Sequence, residues 1–206
     1  MSQLQKHLFN PDGCRAELDD LAALLRIPGP LKERDDVLPF FKKRPDLSML
    51  ISLYLPDLID ADVLAHEFGL SGKFCADLVV GDTARGQYLL VEFEDGTPDG
   101  PFQRRGKKCT PEWHPRFEHA FSQLVDWYWL LEDQRSTQDF ASVFGRSAQF
   151  HGLIVIGKGV ALAPAETSRL AWRKRKVVVD SHWVSCVTFD QLHDDLDSKL
   201  KLYYQK

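Results

Sequence analysis

Three carboxylates stand where apolar strands seldom tolerate them: Asp77 lies inside the run FCADLVV, and Glu92 and Glu94 close the run YLLVEFE. Burying an unpaired carboxylate is expensive, so acids in such runs serve either a structural pairing or a chemical task. Side chains alternate across a strand, which sends Glu92 and Glu94 to one face and Val91 and Phe93 to the other. If the two runs pair as a hairpin, Asp77 comes near Glu92 and three carboxylates converge. A proton or a cation must then relieve their repulsion, and hard oxygen donors suit Mg²⁺ or Mn²⁺. The alternative is a half-exposed sheet edge, with Glu92 and Glu94 in water and Asp77 capping a turn or pairing with an arginine.

Other chemistry is less well signalled. The four cysteines, Cys14, Cys75, Cys109 and Cys186, form no CxxC pair, so reduced thiols are expected, with Cys75 and Cys186 as small core residues. Cys109, His114 and His119 match no common zinc spacing. GDTARG and GKG lack the length and the Lys-Ser/Thr of a phosphate-binding loop, and neither GxSxG nor HExxH occurs. His66, His151, His182 and His193 are dispersed and read as structural.

Around the acids, the pattern predicts helices before strands. Asp12 can cap a helix over residues 14–26, ended by Pro28, Gly29 and Pro30. A second helix is expected over residues 31–43, burying Val37, Leu38, Phe40 and Phe41, and a third in PDLSMLISLY; together they would cap one face of a sheet. KFCADLVV, GDTARG and QYLLVEFE read as a β-hairpin. Residues 95–115 lack periodicity and read as a long loop. A helix over 116–132 with a broad aromatic stripe follows, then a strand in HGLIVIGKG, a helix over 165–176, strands near 177 and over 184–189, and a last helix from 190. The fold class is α/β, a single domain with a central mixed sheet flanked by helices. Its 206 residues and 44% hydrophobic content suffice for one core. A formal net charge of -4 excludes a generally basic nucleic-acid coat protein but allows a local basic face. The lack of a membrane-length apolar run or a signal-like N-terminus predicts a cytoplasmic protein with no membrane partner.

A strand aspartate, a second strand ending in Glu-x-Lys or a variant, and then a helix resemble the core of PD-(D/E)XK nucleases; here the acids are Asp77 and Glu92-Phe93-Glu94. Gln123 and Trp127 are similar to the Gln-xxx-Tyr element of RecB-like members. More narrowly, ERDDVLPFFKKRPDLSMLIS, EFGLSGKFCADLVV, LLVEFE, HAFSQLVDWYWLLED, GLIVIGKG and VTFDQL, in that order, resemble the Shedu anti-phage nuclease domain. The resemblance implies a restriction-endonuclease-like core over 31–206 with an N-terminal helical extension over 1–30. It implies metal-dependent hydrolysis of DNA phosphodiesters, with Asp77, Glu92 and the Phe93 carbonyl holding Mg²⁺ or Mn²⁺, Glu67 as an outer carboxylate, and Gln123 orienting the metal shell or a phosphate. Glu94 departs from the usual lysine. A glutamate there can act as base or second ligand, but it removes a positive charge, so the other reading is a catalytically impaired nuclease fold that binds nucleic acid or regulates a partner. Arg104, Arg105, Lys107 and Lys108, just after Glu94, could neutralise phosphates, as could Arg169, Arg173, Lys174, Arg175 and Lys176; either run could instead be a solvated face. Trp113 could stack on a base or anchor its loop. By analogy with the family the chain is expected to form a homo-oligomer, a homodimer being the guess.

Overall fold

In a computed structural model, which describes residues 3–55, 61–104, 106, 110–159, 162–179 and 181–204, the acid-bearing runs pair as a hairpin. Strand β3 (Phe74–Asp82) returns through a tight turn into β4 (Gln87–Phe93), in the register Leu78 with Val91 through Asp82 with Gln87. Gly86, at φ 64°, takes the left-handed turn conformation that side chains resist. Gly81 faces the Tyr88 ring so closely that an added Cβ would lie 2.3 Å from the ring's Cδ1.

Antiparallel pairing extends outward from β3 to β2 (Val63–Leu70) and to the short β1 (Gln5–Lys6). On its other side β4 pairs in parallel with β7 (Gln149–Val155), which pairs in parallel with β9 (His182–Val187), and β8 (Val178–Val179) closes that edge antiparallel. The result is the expected mixed sheet, with seven strands in the order β1-β2-β3-β4-β7-β9-β8. The parallel pairs require crossovers: α4 (Pro115–Gln134) and α5 (Gln138–Phe144) lie between β4 and β7, and α6 (Pro164–Lys176) between β7 and β9.

Each face of the sheet is covered. On one face Leu78, Val80, Leu89, Val91, Phe93 and Leu153 pack against α1 (Pro11–Arg26), α2 (Leu38–Lys42), α3 (Pro45–Leu50) and the final helix α7 (Phe189–Tyr204). On the other, Ala76, Val79, Tyr88, Leu90 and Ile154 pack against Leu124, Trp127, Tyr128 and Leu131 of α4 and Phe140 and Phe144 of α5. Strand alternation therefore aims Glu92, like Tyr88 and Leu90, at the α4 side, whereas in β3 Ala76 and Val79 share that side, so the alternation is broken at Asp77. The N-terminal helices cap the opposite face, as expected, and Cys14, Leu18 and Leu21 of α1 are wholly buried there.

Several boundaries differ from the sequence reading. The cap of α1 is Asn10, whose side chain accepts the Asp12 N–H at 3.2 Å; with Pro11 at the first helical position, Asp12 falls inside the helix. The expected helix over 31–43 is split into a π-helical turn, Glu33–Val37, followed by α2. Asp36 folds back to accept the Lys32 N–H at 2.7 Å, and the Val37 N–H reaches Lys32 O at 3.1 Å, which widens the first turn. The loop at 95–115 contains a small hairpin, β5 (Phe102–Gln103) with β6 (Glu112–Trp113). Strand β2 escaped the period-two pattern because His66 and Glu67 interrupt its apolar residues.

Candidate active site

Asp77 stands where both of its strand ladders fail. Pairing of β3 with β4 ends at Leu78 and Val91, one step short of placing Asp77 opposite Glu92. Instead, Asp77 Oδ2 accepts the Phe93 N–H at 2.8 Å. Towards β2, the pairs His66 with Leu78 and Phe68 with Ala76 flank Glu67 and Asp77, which do not pair. Glu67 adopts φ 47°, a left-handed backbone in mid-strand for a residue with a Cβ. Such strain persists only where surrounding structure enforces it and concentrates at functional sites. A residue in a strand points its N–H and C=O to the same edge, so the Phe93 carbonyl also faces the end of β3.

The opened strand ends form the floor of a cleft of about 910 Å³. Asp77, Glu92 and Glu94 line it from the sheet, Glu67 from β2, Glu33 and Lys42 from the N-terminal helices, and Arg116, His119 and Gln123 from α4. The aromatic stripe of α4 fixes this placement: Phe117, Leu124 and Trp127 are buried against the sheet, which leaves Gln123 at the rim, where its Nε2 donates to Glu92 Oε1. Glu94 Oε2 accepts from Arg116 Nη1 at 3.0 Å, and Arg116 Nη2 lies 3.2 Å from Asp95 Oδ2. Asp95 also accepts the Glu33 N–H at 2.9 Å and approaches Lys32 Nζ at 3.2 Å. Lys42 pairs with Glu67 at the rim. Among the described residues, no three His, Cys, Asp or Glu side chains already form a metal cage.

The charge state of the floor follows from this burial. Desolvation, followed by repulsion from Asp77, Glu94 and Glu33, pushes Glu92 up to about 10; the Gln123 hydrogen bond only partly opposes this. Desolvation pushes Asp77 up to about 7, against the Phe93 N–H, which favours the carboxylate. Burial also raises Glu94, opposed by Arg116, and raises Glu33. At Asp95 burial is outweighed by the Glu33 N–H, Lys32 and Arg116, which hold the group below its usual value. An acid whose folded pKa is raised favours folding fully below its unfolded value, and that favour drains away as pH climbs through the folded one. The windows run from 4.5 to about 10 for Glu92 and from 3.8 to about 7 for Asp77. Metal-free protein is therefore expected to lose stability steadily, and its Tm to fall, as pH rises from about 5 to about 8. Calorimetry in EDTA checks this, and a Tm that rises over that range would show that the two acids are not buried together.

The remaining sequence candidates fall elsewhere. Arg104 is largely exposed, 3.9 Å from Glu166, in a separate hollow beside Phe102 and Pro111. Arg105, Lys107, Lys108 and Cys109 lie outside the described residues. Arg173 is held by Glu118 at 2.7 and 3.0 Å and lies over Trp113, Phe117 and Phe121, which gives it a structural pairing. Arg169 donates to the Pro111 carbonyl at 2.7 Å and also covers Trp113, so that tryptophan anchors its loop against Phe102 and Phe117. Lys174 and Arg175 border a different cavity, with Tyr54, His151 and Trp183. Lys176 ends α6 in solvent. His114 caps α4 by accepting the Arg116 N–H at 3.1 Å. Cys75 is exposed rather than in the core, because it lies at the end of β3 that opens into the cleft.

A family model for the C-terminal part of the Shedu protein SduA matches residues 31–193. The chain belongs to this Shedu family. The Shedu match starts at the segment leading into the π-helical turn, includes every strand from β2 to β9, and ends within α7, so it contains the whole cleft. Membership places the chain among anti-phage defence proteins. The search of curated proteins found no match. No helix among the described residues is long and apolar enough to cross a membrane.

In this Shedu chain the cleft is lined by residues that sequence reasoning passed over, Glu33, Lys42 and Arg116, and Asp95 pairs with Arg116 behind them. Asp95 had a readable signal, since it directly follows Glu94 and makes VEFED a denser acidic strand end than the two spaced glutamates alone. Glu33 and Arg116 had none, because each arrives from a helix distant in sequence.

Proposed function

We propose that the chain hydrolyses phosphodiester bonds in DNA, with Mg²⁺ or Mn²⁺ as cofactor, in defence against phage. One observation carries this reading: Asp77 and Glu92, on adjacent antiparallel strands, are buried together on the floor of a wide, open cleft. Two facing carboxylates form a poor core but suit a hard divalent cation. Each has one oxygen engaged, Asp77 Oδ2 by Phe93 N–H and Glu92 Oε1 by Gln123, so Asp77 Oδ1, Glu92 Oε2 and the Phe93 carbonyl are the donors that fit the ion. Glu67, tied to Lys42, is an outer carboxylate. When bound, such a cation polarises a phosphate oxygen and lowers the pKa of a coordinated water. The order of strand acid, strand acid and covering helix further supports a restriction-endonuclease-like core.

The chain's own groups do the positioning. The Phe93 N–H fixes the Asp77 carboxylate against rotation, and Gln123 fixes Glu92 from the helix side. Partners of this kind orient metal ligands, and losing one typically weakens metal affinity or activity ~10–100-fold. Purified protein is expected to bind Mn²⁺ in titration calorimetry and to cut plasmid DNA with Mn²⁺ but not with EDTA. Absence of both binding and cutting would sink the reading. A second reading, DNA binding without cleavage, is favoured by Glu94 already being bound to Arg116, which takes this carboxylate out of the role of base. Salt-sensitive DNA binding with no cutting under any divalent metal would select it.

A further inference from the structure

We infer that Arg116 is the phosphate-contacting residue of the cleft, and that Glu94 and Asp95 act as its brace rather than as base or metal ligand. The inference deepens the nuclease reading and rests on it for the identity of the anion. An acidic floor repels a phosphodiester, so the cleft needs a cation held in place before the substrate arrives.

Among the described residues, four basic side chains other than histidine line the cleft, and they differ in how firmly they are held. Arg34 is 89% exposed, with one contact to Glu33 at 4.0 Å. Lys73 extends from the β2–β3 turn, with Trp129 5.6 Å from its Nζ. Lys42 is paired at the rim with Glu67, itself half exposed. Arg116 differs: its own side chain is 45% exposed, while the carboxylates it contacts, Glu94 and Asp95, are 3% and 7% exposed. One edge of the guanidinium is thus fixed to buried acids and the rest opens to the cleft.

Donor arithmetic agrees. A guanidinium has five N–H donors, and Arg116 commits one to Glu94 Oε2 and turns another to Asp95 Oδ2. Among the described residues nothing takes the other three, which leaves a planar fork suited to bidentate phosphate recognition. Asp95 cannot swing away, because the Glu33 N–H at 2.9 Å and Lys32 at 3.2 Å hold it, and Gly96 pairs with Leu31 through hydrogen bonds of 2.9 and 3.0 Å. Arg116 also lies in the first turn of the 20-residue helix α4, whose positive dipole end opens on the same cleft beside Pro115 and His119. The brace explains why Glu94 is tolerated in a buried strand end. It converts a mobile side chain into a preorganised donor array, the arrangement that stabilises developing charge most effectively.

The test uses the full chain, a fluorescein-labelled DNA duplex in EDTA for binding, and plasmid with Mn²⁺ for cleavage. Arg116→Gln is expected to reduce the slope of log affinity against log salt by about 0.9 and to slow cleavage at least ~100-fold. Because that variant strands two buried acids, the double variant Glu94→Gln/Arg116→Gln is measured beside it, with a Tm for each; the same loss of slope and rate is expected. Arg116→Lys should restore the slope as a point charge but not the rate, since it lacks the fork. If the single and double variants keep the wild-type slope and rate, Arg116 is not the contact, while the nuclease reading stands. If wild type binds with a slope that Arg116→Gln reduces but never cuts, the nuclease reading fails and the contact stands. If wild type does not bind the duplex at all, both fail.

Discussion

Glu92→Gln is expected to abolish Mn²⁺-dependent DNA cleavage while leaving the protein at least as stable as the wild type above neutral pH. The substitution keeps the shape of the side chain and an oxygen able to accept from Gln123. It removes the charge that desolvation and the neighbouring Asp77, Glu94 and Glu33 all disfavour. Removing an orienting partner such as Gln123 should weaken activity ~10–100-fold, so removing the ligand it orients should exceed ~100-fold. Tm and cleavage therefore move in opposite directions, a pattern that general misfolding cannot produce. Rates within a few-fold of wild type would exclude Glu92 from the chemistry. A large fall in Tm at pH 8 would show that the carboxylate is a structural partner instead.

Trp127→Ala carries the largest expected effect on stability. Trp127 is fully buried on the inner face of α4, among the side chains that pack this helix on the sheet. Truncating a core tryptophan costs about 3–5 kcal/mol, or roughly 6–20 °C in a chain of this size. Its Nε1 has no hydrogen-bond partner among the described residues, so Trp127→Phe gives up packing volume but no hydrogen bond and should retain most of the stability. Gln123 lies one turn before Trp127, so the alanine variant should also weaken metal binding through the helix, whereas Trp127→Phe should not. Thermal unfolding of both variants checks this, and an unchanged Tm for Trp127→Ala would contradict the placement of α4.

The resemblance to a Gln-xxx-Tyr element divides in two on the structure. Gln123 does reach Glu92, but Trp127, four residues later and nearly in line, is turned into the core. Spacing of i and i+4 puts two residues on one side of a helix, yet it does not say which is the last to touch the sheet and which the first to clear it. That depends on where the sheet ends, here with the β3–β4 ladder stopping at Val91 and β4 itself at Phe93. The basic run in α6 has the same lesson: Arg173 is absorbed by Glu118 and three aromatic rings, partners brought by α4 and the small β5–β6 hairpin.

From its residue pattern alone the chain determined its strand hairpin, its aromatic-striped helix and the common face of Glu92 and Glu94, because period-two and period-3.6 repeats are local and survive any arrangement of the rest. It also carried the match to the Shedu family over residues 31–193. Only the tertiary structure decided which charges meet. Arg116 reaches Glu94 across 22 positions and Glu33 reaches Asp95 across 62. Such contacts, an ion pair in the first case and a backbone N–H in the second, have no period and depend on helical segments docking at one strand end. At the same end of the sheet Glu67 has a left-handed backbone and the β2–β3 ladder skips Glu67 and Asp77. Three acids in a line of sequence thus became a cleft with a braced cation, since burial and long-range packing, rather than spacing, set their charge.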